Sequence, residues 1–325
     1  MTDWPRNAHT VHQLELPDYL KGVSVRIPYH VVRGAEDGPT LYVQACQHGT
    51  EINGWEAVRQ VLAAVTPERL RGTLIAVPVA NPIAFQARMH GYPSMGHNMN
   101  RVWPGDANGP FLPHRMAALL WDALITRADA AVDLHCWADF SIPAAWTAPG
   151  FEPWICAFGT PFIFELAYDA STRMLQNACH EAGTPCCVLE MIPQDAINPD
   201  SAPLGRRGTM NLLRYMGMLD GPMEYPAERY LFTPGPVDAL PTASVDGMWV
   251  TAARKGTLVR EGDVLGHVYA WDTHAVLETI TAPMDGLYYL DRPCVAHGNH
   301  NLVEPGTEVA CVRAVKRVLR PEDGP

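Results

Sequence analysis

Along the first two-thirds of the chain, short apolar runs alternate with longer stretches in which apolar residues recur every three or four positions. A strand covered on both faces gives the first pattern, and an amphipathic helix gives the second. The runs at 40–46, 72–79, 130–135 and 186–191 are predicted strands, and 53–65, 115–126 and 171–182 are predicted helices. Strands that alternate with helices build a parallel or mixed sheet flanked by helices, so an α/β domain is expected. From about position 230 the texture changes to short β-rich pieces parted by Gly-Asp, Asp-Gly and Pro-Gly turns, as in KGTLVREGDVLGHVY and TITAPMDGLYYL. Tight turns at this spacing favour a small sandwich or barrel. The expected organisation is an α/β domain over 1–229 and a β-rich accessory domain over 230–325, joined near the proline- and aromatic-rich segment 223–235.

Composition narrows the classes of function. A chain of 325 residues that is 47% hydrophobic is long enough for a sizeable core. With 24 basic and 35 acidic residues its formal charge is −11, which repels nucleic acid and makes any arginine beside a site stand out. The eight cysteines are scattered without a CxxC pair, the usage of reduced, buried thiols. The first twenty residues, MTDWPRNAHTVHQLELPDYL, hold no apolar core of signal-peptide length, and no later segment reaches the roughly 18 unbroken apolar residues of a membrane span. A cytoplasmic protein without membrane or nucleic-acid partners is expected, and a homo-oligomer is compatible with this reading.

Three predicted strands end at polar residues, and ligands of open α/β sheets gather outside the carboxyl ends of strands. His48 and Glu51, in the QHGTE segment after the first strand, set an imidazole and a carboxylate three residues apart in a strand-to-helix turn. His135 follows at the end of another strand, in Asp133-Leu134-His135. Catalytic zinc takes three nitrogen, sulfur or carboxylate ligands and leaves one position open, a demand these three residues meet. Asp133 is placed to accept from the free ring nitrogen of a ligand histidine. An isolated HxxE is also read as a helix-capping glutamate beside a satisfied histidine; strand-end placement, the downstream DLH and the arginines between favour the metal. His12, His90 and His180 lack such company and are read as surface or core residues.

Between the ligands, a loop carries Arg88 and the pair Asn100-Arg101. One arginine near a metal suits bidentate capture of a substrate carboxylate, and a second suits a carbonyl becoming an oxyanion; the bland alternative is a surface salt bridge. Hydrolysis also needs a proton carrier, for which Glu190 at the end of CCVLE leads and Glu165 after PFIF is the rival.

The segments HGTE, NPIAF, Arg88, NMNRVWPG, DLH and CVLEM, in this order over roughly residues 35–195, resemble the succinylglutamate desuccinylase and aspartoacylase family. The resemblance implies a zinc-carboxypeptidase-like mixed sheet flanked by helices, and a deacylase with one Zn2+ per chain acting on a small N-acyl substrate. It implies His48, Glu51 and His135 as metal ligands, Glu190 as the catalytic glutamate, Arg88 as the carbonyl-polarising arginine, and Asn100 with Arg101 as holders of the substrate carboxylate. Where the family often has aspartate two positions before the Asn-Arg pair, this chain has Asn98. The C-terminal region resembles the barrel-sandwich hybrid of biotinyl and lipoyl carrier domains, but Ala275 falls at the position of their modified lysine, so attachment of a cofactor is not expected. A zinc carboxypeptidase using the same parts, and a non-catalytic small-molecule binding protein on the same fold, are the alternatives. If Arg101 does not hold the carboxylate, Arg206 and Arg207 in GRRG are the next candidates.

Overall fold

The computed structural model describes residues 4–20, 23–91, 97–165, 169–232, 238–292 and 300–325. The chain divides into two compact units, one of residues 1–136, 143–229 and 319–325, the other of 137–142 with 230–318.

The first unit is built on a mixed sheet. Its strands are β1 (Ala8–Leu20), β2 (Val23–Arg33), β3 (Glu36–Ala45), β4 (Arg71–Val77), β5 (Ala130–Cys136), β6 (Ala144–Thr147), β7 (Phe162–Glu165) and β8 (Cys186–Met191). They lie in the order β1-β2-β4-β3-β5-β8-β6-β7. The four central strands β4, β3, β5 and β8 run parallel, while β2 joins β4 and β6 joins β8 antiparallel. Helices α1 (Asn53–Ala64), α2 (Pro82–Ala87), α3 (Leu112–Ala123), α4 (Glu152–Phe158), α5 (Leu175–Glu181) and α6 (Ala202–Tyr215) complete the unit. Every residue of β5 and β8 is buried, which is why both read as continuous runs without polar alternation.

Chain order locates the crevice. From β3 the chain passes through α1 to β4 on one side, then through α2 and α3 to β5 on the other side of β3. The connections leave the carboxyl ends of β3 and β5 in opposite directions, and such a switch point opens a ligand-sized gap there.

The helix expected over 171–182 is broken: a 3-10 turn at Ala170–Thr172 precedes α5. Asp169 caps the turn through Ser171 N at 2.9 Å, and Arg173 then adopts φ +48°, a left-handed conformation that stops an α-helix. The helix expected from 115 starts at Leu112, with Pro113 in its first turn, where a missing N–H costs nothing.

The second unit is entered through β9 (Arg229–Phe232). One antiparallel sheet holds β10 (Asp238–Ala239), β17 (Cys311–Arg313), β15 (Gly286–Leu290) and β12 (Thr257–Val259); the other holds β14 (Val276–Thr281), β13 (Val264–Tyr269), β11 (Gly247–Thr251) and β16 (Leu302–Val303). Trp249, fully buried among Leu265, Val268 and Tyr288, anchors the core, and its Nε1 donates to Asp291 Oδ1 at 3.0 Å. β18 (Val315–Leu319) leads the chain back. Ala275 closes the β13–β14 turn, where its carbonyl accepts from Ala270 N at 2.8 Å, and residues 270–275 include no lysine.

Candidate metal and catalytic centre

The site grows from the turn after β3. Cys46 takes φ +51°, a left-handed conformation uncommon for a residue with a Cβ, and reverses the chain so that Gln47–Glu51 form a tight turn before α1. The segment after β4 is clamped onto this turn. Asn81, at the N-cap of α2, accepts from Ala84 N at 3.1 Å and donates to the Gln47 carbonyl at 3.2 Å, while Gly49 N donates to the Met89 carbonyl at 2.9 Å. Only glycine fits at 49, because a Cβ there would sit 2.1 Å from the backbone of Ala84.

His48, Glu51 and His135 converge with their ligand atoms within 4.8 Å of one another, all three buried. Glu51 spans the two rings: Oε1 lies 2.8 Å from His48 Nδ1, and Oε2 lies 2.8 Å from His135 Nδ1. Behind the rings, each Nε2 meets an acceptor. His135 Nε2 is 2.8 Å from Asp133 Oδ2, and His48 Nε2 is 2.8 Å from Asn98 Oδ1. Both nitrogens of each ring thus face an acceptor; with a cation at the centre, the acceptor behind each ring would keep its proton on Nε2 and leave the Nδ1 lone pair to the cation. Two ring nitrogens and a carboxylate converge there, a donor set that a cation could bridge. The Nδ1 atoms are 3.3 Å apart; tetrahedral zinc with Zn–N bonds of about 2.0–2.1 Å sets two nitrogens roughly 3.3–3.4 Å apart. The donor set therefore fits zinc.

The electrostatics agree. Burial opposes charge on His135, but the Asp133 and Glu51 carboxylates overcome it and hold its pKa well above the ordinary histidine value. Burial would likewise raise Glu51, yet His48 and His135 bring it down to about 2. The field at this centre favours positive charge, whether proton or metal, and metal binding displaces the proton.

Glu190 stands beside the centre, paired in register with His135 across the parallel β5–β8 ladder. Its Oε2 is buried and meets no hydrogen-bond partner among the described residues. Burial, first, pushes its carboxyl well above the ordinary range; Glu51 and Asp133 add to this, and His135 opposes. The structure brings Asn100 to the same place, with Nδ2 3.4 Å from His135 Nε2 and Oδ1 accepting from Leu175 N at 2.9 Å. Arg88 and Arg101 are exposed, and neither is ion-paired to a carboxylate among the described residues. Arg88 ends α2 in a left-handed conformation, φ +54°, and Arg101 donates to the Asn100 carbonyl at 2.8 Å. The side chain of Glu165, the rival to Glu190, lies outside the described residues. Arg206 and Arg207 belong to α6; burial lowers Arg207 from the usual arginine value while Glu224 opposes.

Two features escape a reading by sequence. His90, read as a surface or core residue, stacks on His48 with ring centroids 3.8 Å apart, and its Nδ1 is 3.6 Å from Glu51 Oε1. A buried amide chain also backs the centre: Tyr42 donates to Gln44, Gln44 Nε2 donates to Asp133 Oδ1 at 2.9 Å and to Gln47 Oε1 at 3.1 Å, and Trp103 Nε1 donates to Gln47 Oε1 at 2.8 Å. The signal for the chain was available, since Gln44 lies between Val43 and Ala45 and Asp133 between Val132 and Leu134, polar residues inside apolar runs. For His90 there was none.

Known proteins resemble this chain over most of its length. N-α-acetyl-L-2,4-diaminobutyric acid deacetylase of Halomonas elongata is 26% identical over 260 residues, spanning 76% of this chain and 75% of that protein. The product-bound ectoine utilization protein EutE (DoeB) of Ruegeria pomeroyi is 26% identical, with a TM-score of 0.77 over 96% of this chain and 97% of that one. A metallo-carboxypeptidase of Burkholderia cenocepacia, 18% identical, shares the fold alone, with a TM-score of 0.50 over 64% of this chain and 65% of its own. The succinylglutamate desuccinylase/aspartoacylase catalytic domain matches residues 37–216, more than half of the chain, and the protein belongs to that family of deacylases.

Proposed function

We propose that this protein is a zinc-dependent amidohydrolase that removes the acyl group from a small N-acyl amino acid. The observation that carries the reading is the convergence of His48, Glu51 and His135 with both Nδ1 atoms turned inward, beside the buried, unpartnered Oε2 of Glu190. One zinc per chain, held by those three residues, would polarise the acyl carbonyl and make water acidic enough to attack at neutral pH. Glu190 takes the proton from the attacking water and passes it to the leaving amine; a carboxyl raised by burial is suited to both transfers. Arg88 meets the charge that develops on the acyl oxygen, and Asn100 with Arg101 holds the substrate carboxylate. The Halomonas relative acts on an N-acetylated diamino acid, so N-acyl diamino acids are the first substrates to examine. The chemistry is assigned to the first unit, and the accessory domain is assigned to the second unit, residues 137–142 with 230–318. No helix among the described residues is long and apolar enough to cross a membrane; a cytoplasmic location is proposed from the cysteine usage.

The test is metal analysis of the purified chain followed by hydrolysis assays of the zinc-loaded protein on N-acetyl and N-succinyl amino acids, N-acetyl diamino acids and C-terminal peptides. One zinc per chain with turnover of an N-acyl amino acid is expected. Turnover of peptides alone would make it a carboxypeptidase, and zinc without any turnover would make it a binding protein.

A further inference from the structure

The two histidines of the centre are backed by unlike partners. His135 Nε2 faces the carboxylate of Asp133, whereas His48 Nε2 faces the neutral amide of Asn98, each at 2.8 Å. The amide orientation at Asn98 is fixed by a second bond, because the same Oδ1 accepts the backbone N–H of Asn100 at 2.7 Å, and a backbone N–H can only donate. Asn98 is also the N-cap of the 3-10 turn Met99–Arg101, which carries Asn100 and Arg101.

Resting on the zinc reading above, we propose that Asn98 is a positioning residue for His48, one oxygen of which sets the ligand tautomer and caps the turn bearing Asn100 and Arg101. The bond to Oδ1 keeps the ring proton on Nε2 and leaves Nδ1 to the metal. An amide oxygen pulls on that proton less than a carboxylate does, so His48 is the weaker donor of the pair and the centre carries one negative charge fewer than if both rings were backed by carboxylates. The consequence is a metal held less tightly and left more electrophilic than a doubly carboxylate-backed site would leave it. The shared oxygen also ties the orientation of a metal ligand to the turn proposed to hold the substrate.

The competing account is that Asn98 is a turn cap whose contact with His48 is incidental. Substitutions separate the two. Asparagine, aspartate and serine cap with similar strength, so all three keep the turn. Only aspartate adds charge behind His48, and only serine is too short to reach it. Zinc dissociation constants for the full-length parent, Asn98→Asp, Asn98→Ser and Asn98→Ala are measured by competition with a chromophoric chelator, and the visible spectra of the cobalt forms report ligand geometry. Asn98→Asp should bind zinc roughly tenfold or more tightly with an unchanged tetrahedral cobalt spectrum. Asn98→Ser and Asn98→Ala should both bind it about 10–100-fold more weakly, the usual cost of losing the group behind a metal-bound histidine. If Asn98→Ser binds like the parent and only Asn98→Ala is weakened, the residue is a cap alone. If Asn98→Asp is no tighter than the parent, the charge argument fails; should that variant not fold, the serine and alanine pair still decides whether the contact positions His48. A parent chain that takes no zinc would instead overturn the zinc reading itself, a result distinct from parent and variants binding equally.

Discussion

Replacing Asp133 with asparagine removes one charge and almost no volume, yet the surrounding bonds leave the new amide no satisfactory orientation. Trp103 Nε1 can only donate, so the Gln47 atom it meets at 2.8 Å is an oxygen. That oxygen also takes Gln44 Nε2 at 3.1 Å, which pins the nitrogen of Gln44 toward position 133, where it donates to Asp133 Oδ1 at 2.9 Å. An asparagine must then turn its oxygen to Gln44 and its NH2 to His135 Nε2. The ring proton moves to Nδ1, onto the atom proposed to bind the metal. Turning the amide the other way sets two donors face to face in a place with no exposure to water. An unsatisfied buried donor costs about 1–3 kcal/mol, roughly 5–150-fold in a binding constant, and loss of a partner behind a metal ligand is typically worth about 10–100-fold. Zinc affinity of Asp133→Asn should therefore fall by about 10–100-fold in a chelator competition at neutral pH. Trp103→Phe in the same chain frees Gln47 and Gln44 to turn over, with the Tyr42 hydroxyl able to accept instead of donate, so the double variant should lose less affinity than the sum of the singles. Zinc binding within threefold of the parent, or strict additivity in the double variant, would refute the tautomer argument.

Glu190→Gln should part stability from activity. Its carboxyl is raised by burial, so the folded state prefers the protonated form and loses stability as pH rises through the folded pKa. The metal-free variant should therefore melt higher than the parent in the alkaline range, with the gap closing below the ordinary glutamate range, while turnover drops by about two orders of magnitude or more; melting curves across pH check the sign, and a pH-independent gap would place the cause elsewhere. Steady-state kinetics should set the two arginines apart: Arg101→Ala raises KM for a carboxylate substrate and barely distinguishes it from its carboxamide, whereas Arg88→Ala loses about 2.7–4 kcal/mol of oxyanion stabilisation and is slow even at saturation. Equal discrimination by parent and Arg101→Ala would move carboxylate recognition elsewhere.

The central strands were legible because they are buried on both faces. Expected at 40–46, 72–79, 130–135 and 186–191, they lie at Glu36–Ala45, Arg71–Val77, Ala130–Cys136 and Cys186–Met191. β1 and β2 were not, because they form a long antiparallel ribbon in which exposed and half-buried positions interrupt the apolar pattern. α6 was hidden for another reason. Its sequence APLGRRGTMNLLRY holds two glycines, poor helix formers, that are there for close packing: a Cβ at Gly205 would lie 2.8 Å from Ala57 of α1, and one at Gly208 would lie 2.3 Å from Phe158. Tertiary contact outweighs local propensity at both positions.

The centre itself divides along the same line. His48, Glu51, His135 and Glu190 follow or end parallel strands, and strand-end position is a property that an apolar run announces. The contacts that tune them come from the segment between β4 and α3, where His90 and Asn98 reach His48 only because Gly49, Asn81 and Met89 bind that segment to the turn after β3. Such contacts depend on loop path, which hydrophobic periodicity does not encode. The strands did carry one further signal. Gln44 and Asp133 sit directly opposite each other in the β3–β5 register, both without exposure and each flanked in its strand by apolar residues. Burying a carboxylate without an ordinary cationic partner costs several kcal/mol unless its lone pairs are satisfied, so an aspartate in such a strand implies a donor network around it. Here that network runs from Tyr42 and Trp103 through Gln44 and Gln47 to Asp133 and His135, and the cation proposed to sit at the two Nδ1 atoms would supply the positive charge that balances Asp133 and Glu51 together.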